Sequence, residues 1–150
     1  MTVLCTIGYE KASLADVLAT LEAAGVALLI DVRDRPQSRR AGFSKRQLQA
    51  GVEAAGLRYV HLKALGTPAE GREANRTRQW PRFWRIVEAR LASAEAALDL
   101  ERAAALAAEA PACLLCYEAD WRICHRRRVA ELLAARHGFT PRHLTVAPAT

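Results

Sequence analysis

The chain has 150 residues, of which 51% are hydrophobic and 25% are charged, and this length and composition are typical of one globular domain. No apolar run reaches the roughly 18 residues of a membrane-spanning helix, so we expect no membrane association. Twenty-two Lys and Arg against sixteen Asp and Glu give a net charge of +6, which suits anionic partners. No basic residues precede the first apolar stretch, so we expect no signal peptide and a cytoplasmic location.

Strands and helices are predicted to alternate along the chain. Apolar runs predict strands over residues 3–7, 27–32, 58–62, 112–116 and 142–146. Capping-box patterns at Ser13 and Ser44 predict helices that end at Gly25 and Gly56. Further helices are predicted from residue 80 to about 108, as two helices with a break near Asp99, and from Cys124 or His125 to Arg136. The polar segment 64–79 is predicted to be a long loop, because it contains glycine and proline.

This alternation predicts an α/β fold, a single three-layer domain over residues 1–150. A mostly parallel sheet of about five strands has helices on both faces, and residues 147–150 are expected to form a frayed tail. We predict the strand order 3-2-1-4-5 because it places the most apolar strands at the centre, with the fifth strand at an edge.

Chemically active residues follow four of the predicted strands. They are Gly8 and Tyr9 after the first, Asp31 and Arg33 after the second, His61 after the third, and Cys116 and Glu118 after the fourth. Because ligands of parallel α/β sheets bind beyond the carboxyl ends of the strands, these residues are candidates for one site. Asp31 is either a loop cap or a site residue. The basic loop with Arg33 and Arg39 is either an anion-binding element or a solvated charged surface.

The segment around Cys124, His125 and Arg126 is predicted to open the last helix. A helix N-terminus and adjacent cations favour a thiolate, so Cys124 is a candidate reactive thiol or part of an anion site. Arg126 shares a helix face with the apolar side chains and is predicted to point inward, whereas Arg127 points to solvent. The alternative for Arg126 is a buried ion pair with Asp31 or Glu118. No disulfide framework is expected, and Cys5 and Cys113 are predicted to be core residues.

Several of these segments together resemble a known family. They are Thr6-Ile-Gly-Tyr9, Leu29-Ile-Asp-Val-Arg33 with Pro36, Ser38 and Arg39, Tyr59-Val-His-Leu62, Leu65-Gly-Thr-Pro68, and the pattern C-x-E-x5-C-H-R from Cys116 to Arg126. The chain resembles the bacterial and archaeal family catalogued as domain of unknown function 488. It departs from the family at Lys63-Ala64, and the stretch 71–110 aligns only loosely. The resemblance implies a small α/β fold and a common site, but it supplies no reaction.

The expected ligand is a phosphate-bearing molecule, either a nucleotide or a nucleic acid. Arg33, Arg39 and Arg126 would hold the phosphate. Cys116 or Cys124 would be the nucleophile, with Glu118 or His125 as general acid or base. The sequence leaves open whether the site is catalytic, and it predicts no resident metal or cofactor.

Three alternatives remain open at this point. One is a rhodanese- or phosphatase-like enzyme that uses Cys116 and Arg122, although its loop has two carboxylates and no glycine. A second is a metal site formed by Cys116, Cys124 and His125 with His61 or Glu118, although adjacent helical residues point about 100° apart. The third is a non-enzymatic nucleic-acid-binding module.

Overall fold

Five parallel strands form one sheet in a computed structural model that describes residues 2–146. The strands are β1 (Val3–Gly8), β2 (Leu28–Asp31), β3 (Arg58–His61), β4 (Ala112–Cys116) and β5 (Thr140–His143). Every residue of β2 and β4 is buried, as continuous apolar runs predict, while the edge strands β3 and β5 are only half-buried. The predicted α/β class and parallel sheet are confirmed.

The predicted strand order is wrong. The order is β3-β2-β4-β1-β5, so β4 lies between β2 and β1, and β5 pairs with β1 instead of β4. Burial did not discriminate between the two orders, because β1, β2 and β4 are all apolar and all lie in the interior of the sheet in both. The fifth strand is at an edge as expected, but it ends at His143.

In the part of the chain that the structure describes, six helices cover the two faces of the sheet. They are α1 (Leu14–Ala23), α2 (Lys45–Ala54), α3 (Ala69–Arg76), α4 (Trp80–Leu91), α5 (Ala94–Glu109) and α6 (Arg126–His137). The first two pack on one face of the sheet, and the other four contribute to the apolar core on the opposite face. The predicted three layers are therefore present. Within residues 2–146, no helix is both long and apolar enough to cross a membrane.

Two helix boundaries and one loop differ from the prediction. The segment expected to be a loop, residues 64–79, includes the end of a 3-10 turn at Lys63–Leu65 and all of α3, whose buried residues are the small Gly71 and Ala74. The break between α4 and α5 lies at Ala92 and Ser93 rather than at Asp99, because the Ser93 hydroxyl caps α5 by accepting from the Ala96 amide.

Of the two serines in the predicted capping boxes, only Ser13 caps its helix through its side chain. The Ser13 hydroxyl accepts from the Asp16 amide at 3.1 Å and caps α1. The Ser44 hydroxyl instead donates to the Ser38 carbonyl at 3.1 Å, and the Gln47 side chain accepts from an amide of the preceding loop. These contacts fold the loop after β2 against the start of α2. The tail predicted over residues 147–150 lies outside the described residues.

Candidate functional site

The strand register brings the chemically active residues to one edge of the sheet. Gly8 at the end of β1 lies beside Cys116 at the end of β4, and Asp31 at the end of β2 lies beside His61 at the end of β3. The N-terminal end of α6 reaches the same edge, where Arg126 contacts Cys116. Within this edge the residues form two clusters with different chemistry, one around Arg33 and one around Arg126.

The first cluster is a buried ion pair between Asp31 and Arg33. Arg33 donates from Nε and Nη2 to the two carboxylate oxygens of Asp31, both at 2.8 Å, and from Nη1 to the Phe43 carbonyl and the Tyr9 hydroxyl. Burial disfavours the charged guanidinium, but the bonds and the negative charge of Asp31 raise the pKa of Arg33 above its usual value. Most of the Arg33 donors are thus engaged inside the protein.

Neighbouring side chains complete this first cluster. The Tyr59 hydroxyl donates to Asp31 at 2.5 Å, and burial together with the Asp31 charge raises the pKa of Tyr59. His61 donates from Nε2 to the Arg33 carbonyl at 2.7 Å. Arg39 is exposed and, among residues 2–146, makes no hydrogen bond or ion pair with either cluster. The Asp31–Arg33 pair therefore fixes the loop after β2, and Asp31 acts there as a loop cap.

Arg126 is the centre of the second cluster. Its side chain is fully buried, and it donates from Nε to the Thr6 hydroxyl at 3.1 Å and from Nη1 to Cys116 Sγ at 3.0 Å. The guanidinium also donates to the carbonyls of Glu118 at 2.5 Å and Ala119 at 3.4 Å. No carboxylate within the described chain lies within ion-pair distance of it. Because burial disfavours its charge, the pKa of Arg126 falls to about 10.

The inward direction predicted for Arg126 is confirmed, and the outward direction of Arg127 is confirmed as well. The Arg127 side chain is 42% exposed and pairs with Glu131. The expected alternative for Arg126, an ion pair with Asp31 or Glu118, is not formed among the described residues, since Asp31 pairs with Arg33.

Gly8 is required by the close approach of the second cluster to β1. A side-chain carbon at this position would overlap the Glu118 carbonyl and would lie 2.9 Å from Nη1 of Arg126. The absence of a side chain lets the loop after β4 cross directly over the end of β1, and this crossing holds the guanidinium beside Cys116.

Two cysteines meet at this cluster. The sulfur atoms of Cys116 and Cys124 are in bonding contact, so the structure contains a disulfide there, contrary to the expectation from sequence. Both side chains are at most 1% exposed. A Glu118 carboxylate oxygen lies 3.6 Å from Cys116 Sγ, and burial raises the pKa of this carboxyl group. Cys5 and Cys113 are free and buried, as predicted for core residues.

His125 has a defined tautomer. Its Nε2 lies 2.7 Å from the Val32 carbonyl, which can only accept, so Nε2 carries the ring proton. Burial lowers the pKa of His125 to about 4, so the ring is neutral near pH 7. Nδ1 therefore presents an unprotonated lone pair, 3.8 Å from Cys124 Sγ.

Thr6 and His143 belong to the second cluster, although we did not predict them as site residues. The Thr6 hydroxyl accepts from Arg126 and lies 2.6 Å from Nδ1 of His143, whose ring stacks on Trp121 at 4.0 Å. Burial and the nearby charge of Arg126 lower the pKa of His143. The pairing of β5 with β1 places His143 opposite Thr6. The predicted strand order did not indicate this contact, because it placed the fifth strand beside the fourth strand rather than beside the first.

The alternative with Arg122 as the anion ligand is not supported by its position. The Arg122 side chain is 69% exposed, pairs with Asp120 and lies over the Trp121 ring. The amides of Ala119 and Arg122 donate to the carboxylates of Glu10 and Asp120. The loop after β4 therefore directs neither this guanidinium nor these amides toward Cys116.

Aromatic side chains lie beside the site, where Tyr117, the residue before Glu118, is exposed to solvent. Tyr117 is 46% exposed and packs edge-on against Tyr9 at 5.4 Å, and Tyr9 stacks on Phe43 at 4.3 Å. Arg40, in the loop after β2, donates to the Ala12 carbonyl. Burial and the charge of Glu10 raise the pKa of Tyr117. The exposed surface next to Glu118 is thus both aromatic and charged.

The fold and this edge define a small parallel α/β protein with a buried arginine, Arg126, against a cysteine pair. The family model described as Domain of unknown function DUF488 matches residues 13–133, so the chain belongs to that family. The match spans most of the chain, including the second-cluster residues from Cys116 to Arg126. Among curated proteins and solved structures, nothing matches the chain.

Proposed function

We propose that the protein is a thiol-dependent enzyme in which Cys116, held beside Arg126, attacks an anionic, phosphate-bearing ligand. The observation that carries this proposal is the 3.0 Å contact between the Arg126 guanidinium and Cys116 Sγ inside a buried site. This contact supports Cys116, rather than Cys124, as the proposed nucleophile.

The charge balance of the second cluster supports this choice. A buried guanidinium needs a compensating negative charge, and no carboxylate of the described chain pairs with Arg126. The partner atoms of Arg126 are a hydroxyl, two carbonyls and Cys116 Sγ. Of these, only the sulfur can carry a full negative charge, so Arg126 favours the thiolate, which is the nucleophilic form.

Glu118 is placed to move a proton in such a reaction. Its carboxyl group lies 3.6 Å from Cys116 Sγ and is half-buried at the outer side of the thiol. In the proposed step, the Cys116 sulfur forms a bond to the electrophilic atom of the ligand. The bond to the leaving group breaks, and the Glu118 carboxyl gives its proton to that group. Water then breaks the bond between the sulfur and the ligand: its hydroxyl joins the product, its proton returns to Glu118, and Cys116 leaves as the thiolate. This step needs the reduced form of Cys116.

The ligand class and the location are parts of the same proposal. Tyr117 is 46% exposed and is the neighbour of Glu118 in the chain, and the loop after β2 contains Arg39 and Arg40, on a chain with a net charge of +6. This loop suits a nucleotide or the end of a nucleic acid, with the base against Tyr117. A cytoplasmic location fits because reducing conditions keep cysteine pairs as thiols.

The proposal is tested by the choice of alkylating reagent. The reduced protein is treated with anionic iodoacetate and with neutral iodoacetamide, and the modification of Cys116 is followed by peptide mass spectrometry. We expect the ratio of the iodoacetate rate to the iodoacetamide rate to be higher for Cys116 than for free cysteine under the same conditions. We also expect AMP to slow the reaction of Cys116 with both reagents. If the ratio equals that of free cysteine and AMP has no effect, the proposal of an anionic ligand is wrong.

A further inference from the structure

We propose that the reduced thiols of Cys116 and Cys124, together with Nδ1 of His125, form a binding site for a thiophilic divalent metal ion such as Zn²⁺. Their ligand atoms all lie within 4.8 Å of one another, and all three side chains are buried. Thiolates and a neutral imidazole are the donors that Zn²⁺ prefers, at roughly 2.3 Å for sulfur and 2.0–2.1 Å for nitrogen. This inference goes beyond the proposed function and does not depend on it.

The orientation of His125 is the strongest observation. A metal-binding histidine usually donates its other ring N–H to a carboxylate or a backbone carbonyl, which fixes the tautomer and the ring. Here Nε2 donates to the Val32 carbonyl at 2.7 Å, so the lone pair of Nδ1 points into the cluster, 3.8 Å from Cys124 Sγ. The ring is thus held ready for a metal before any metal binds.

The backbone removes the objection that adjacent residues of one helix diverge. Helix α6 begins only at Arg126, and Cys124 has extended backbone angles of φ −111° and ψ 142°. The side chains of Cys124 and His125 can therefore approach a common point. A disulfide joins Cys116 and Cys124 in the structure, so the metal site needs the reduced pair. Their Cα atoms are 7.6 Å apart, above the roughly 4.4–6.8 Å usual for a disulfide, which leaves room for an ion between the two sulfur atoms once they are reduced.

The surrounding charges fit a metal held by two thiolates. Two thiolates neutralise the charge of Zn²⁺. Arg126 and an ionised Glu118, which form no ion pair with each other, add one positive and one negative charge nearby. Nη1 of Arg126 donates to Cys116 Sγ, as expected of a group outside the ligand shell that stabilises a ligand. The Glu118 carboxylate, 3.6 Å from the same sulfur, or a water molecule can complete a tetrahedral site.

Metal binding and the proposed reaction are two alternative states of this site. A metal ion on Cys116 Sγ occupies the electron pair that the nucleophile needs. We therefore expect Zn²⁺ to silence the thiol, and its removal to restore reactivity. Soft thiolate ligands select Zn²⁺ and Co²⁺, whereas Mg²⁺ prefers oxygen ligands and is not expected to bind.

The experiment is a Co²⁺ titration of the reduced full-length protein, followed by displacement with Zn²⁺. We expect one Co²⁺ per chain, with thiolate-to-cobalt charge-transfer bands and the visible bands of a tetrahedral site. Cys124→Ala should reduce the charge-transfer intensity by about half and weaken binding by more than about 100-fold. His125→Asn should weaken binding comparably but keep the charge-transfer intensity at saturation. Cys113→Ala is the matched control, because Cys113 lies in β4 with Cys116 but is not a proposed ligand, and this variant should bind Co²⁺ normally.

A second measurement uses only the unmodified chain, in case a variant does not fold. Zn²⁺ should protect both Cys116 and Cys124 of the reduced protein from alkylation, and a chelator should abolish the protection. Absence of saturable Co²⁺ binding, or binding that Cys124→Ala leaves unchanged, would overturn the metal site. Because the reagent preference of Cys116 is measured without metal, failure of the proposed reaction and failure of the metal site are told apart.

Discussion

Replacement of Arg126 by methionine is the perturbation that bears most directly on the thiol. Methionine keeps much of the volume of the buried side chain but removes its charge and its donors. The bond from Nη1 to Cys116 Sγ, at 3.0 Å, is a hydrogen bond to a charged group, and such bonds contribute about 1.5–3 kcal/mol. Loss of this energy from the thiolate should slow alkylation of Cys116 about 10- to 100-fold.

The same substitution should also lower stability, because Arg126 links three segments of chain. It donates to Thr6 in β1 and to the carbonyls of Glu118 and Ala119 in the loop after β4. Buried acceptors that lose their donor cost about 1–3 kcal/mol, partly offset because a desolvated cation is removed. We expect a net loss of about 1–3 kcal/mol in the free energy of unfolding, measured in urea.

The assay compares the rate constant of Cys116 in three reduced proteins at one pH. They are the wild type, Arg126→Met and Arg127→Ala, and the last is the control because its side chain is 42% exposed and pairs with Glu131. Arg127→Ala should react at the wild-type rate. The reasoning is refuted if Arg126→Met remains folded and Cys116 reacts as fast as in the wild type, since the guanidinium would then contribute nothing to the thiolate.

Three further predictions concern the buried ion pair, the close approach at Gly8 and the titration of His143. Asp31→Asn leaves Arg33 buried without its counter-charge and should lower the free energy of unfolding in urea by about 3–5 kcal/mol. The control Asp120→Asn, in an exposed pair, should lower it by less than about 1 kcal/mol. Equal losses for the two variants would contradict a stabilising role of the buried pair. Gly8→Ala should lower the melting temperature and displace the loop after β4, because the added methyl overlaps a backbone carbonyl; a fully stable variant with unchanged Cys116 reactivity would argue against this close approach. Burial and nearby arginines lower the pKa of His143, so the unfolded chain binds the proton more readily and stability should fall as the pH drops below about 6.5. Between pH 7.5 and 5.5, His143→Asn should lose less free energy of unfolding in urea than the wild type. Equal losses in the two proteins would contradict a lowered pKa of His143.

The class of fold and the edge that carries the site were predictable from local patterns. Fully apolar runs such as Ala112–Cys116 indicate buried parallel strands, and these strands end in chemically active residues. In a parallel sheet, strand ends of one kind meet at one edge whatever the strand order. Cys116 and Asp31 therefore reach the same edge even though the predicted order was wrong.

Contacts between distant segments were not predictable in the same way. Strands β1, β2 and β4 are similarly apolar, so the local sequence pattern does not indicate their order in the sheet. That order places β5 beside β1, and His143 therefore lies opposite Thr6. Helix α3 buries only Gly71 and Ala74, so it has no apolar stripe to reveal it. The contact of Arg126 with Cys116 depends on the crossing of a distant loop over Gly8, and no local pattern in the sequence indicates this crossing.

The central claim is that Arg126 activates Cys116, and the most direct test is the relative alkylation rate of the two site thiols. Cys116 is 1% exposed and Cys124 is 0% exposed, so exposure favours neither, and the 3.0 Å contact with Arg126 belongs to Cys116 alone. In the fully reduced, metal-free protein, peptide mass spectrometry after brief treatment with iodoacetamide should show Cys116 modified at least about tenfold faster than Cys124. Faster modification of Cys124, or equal rates at both, would contradict the account.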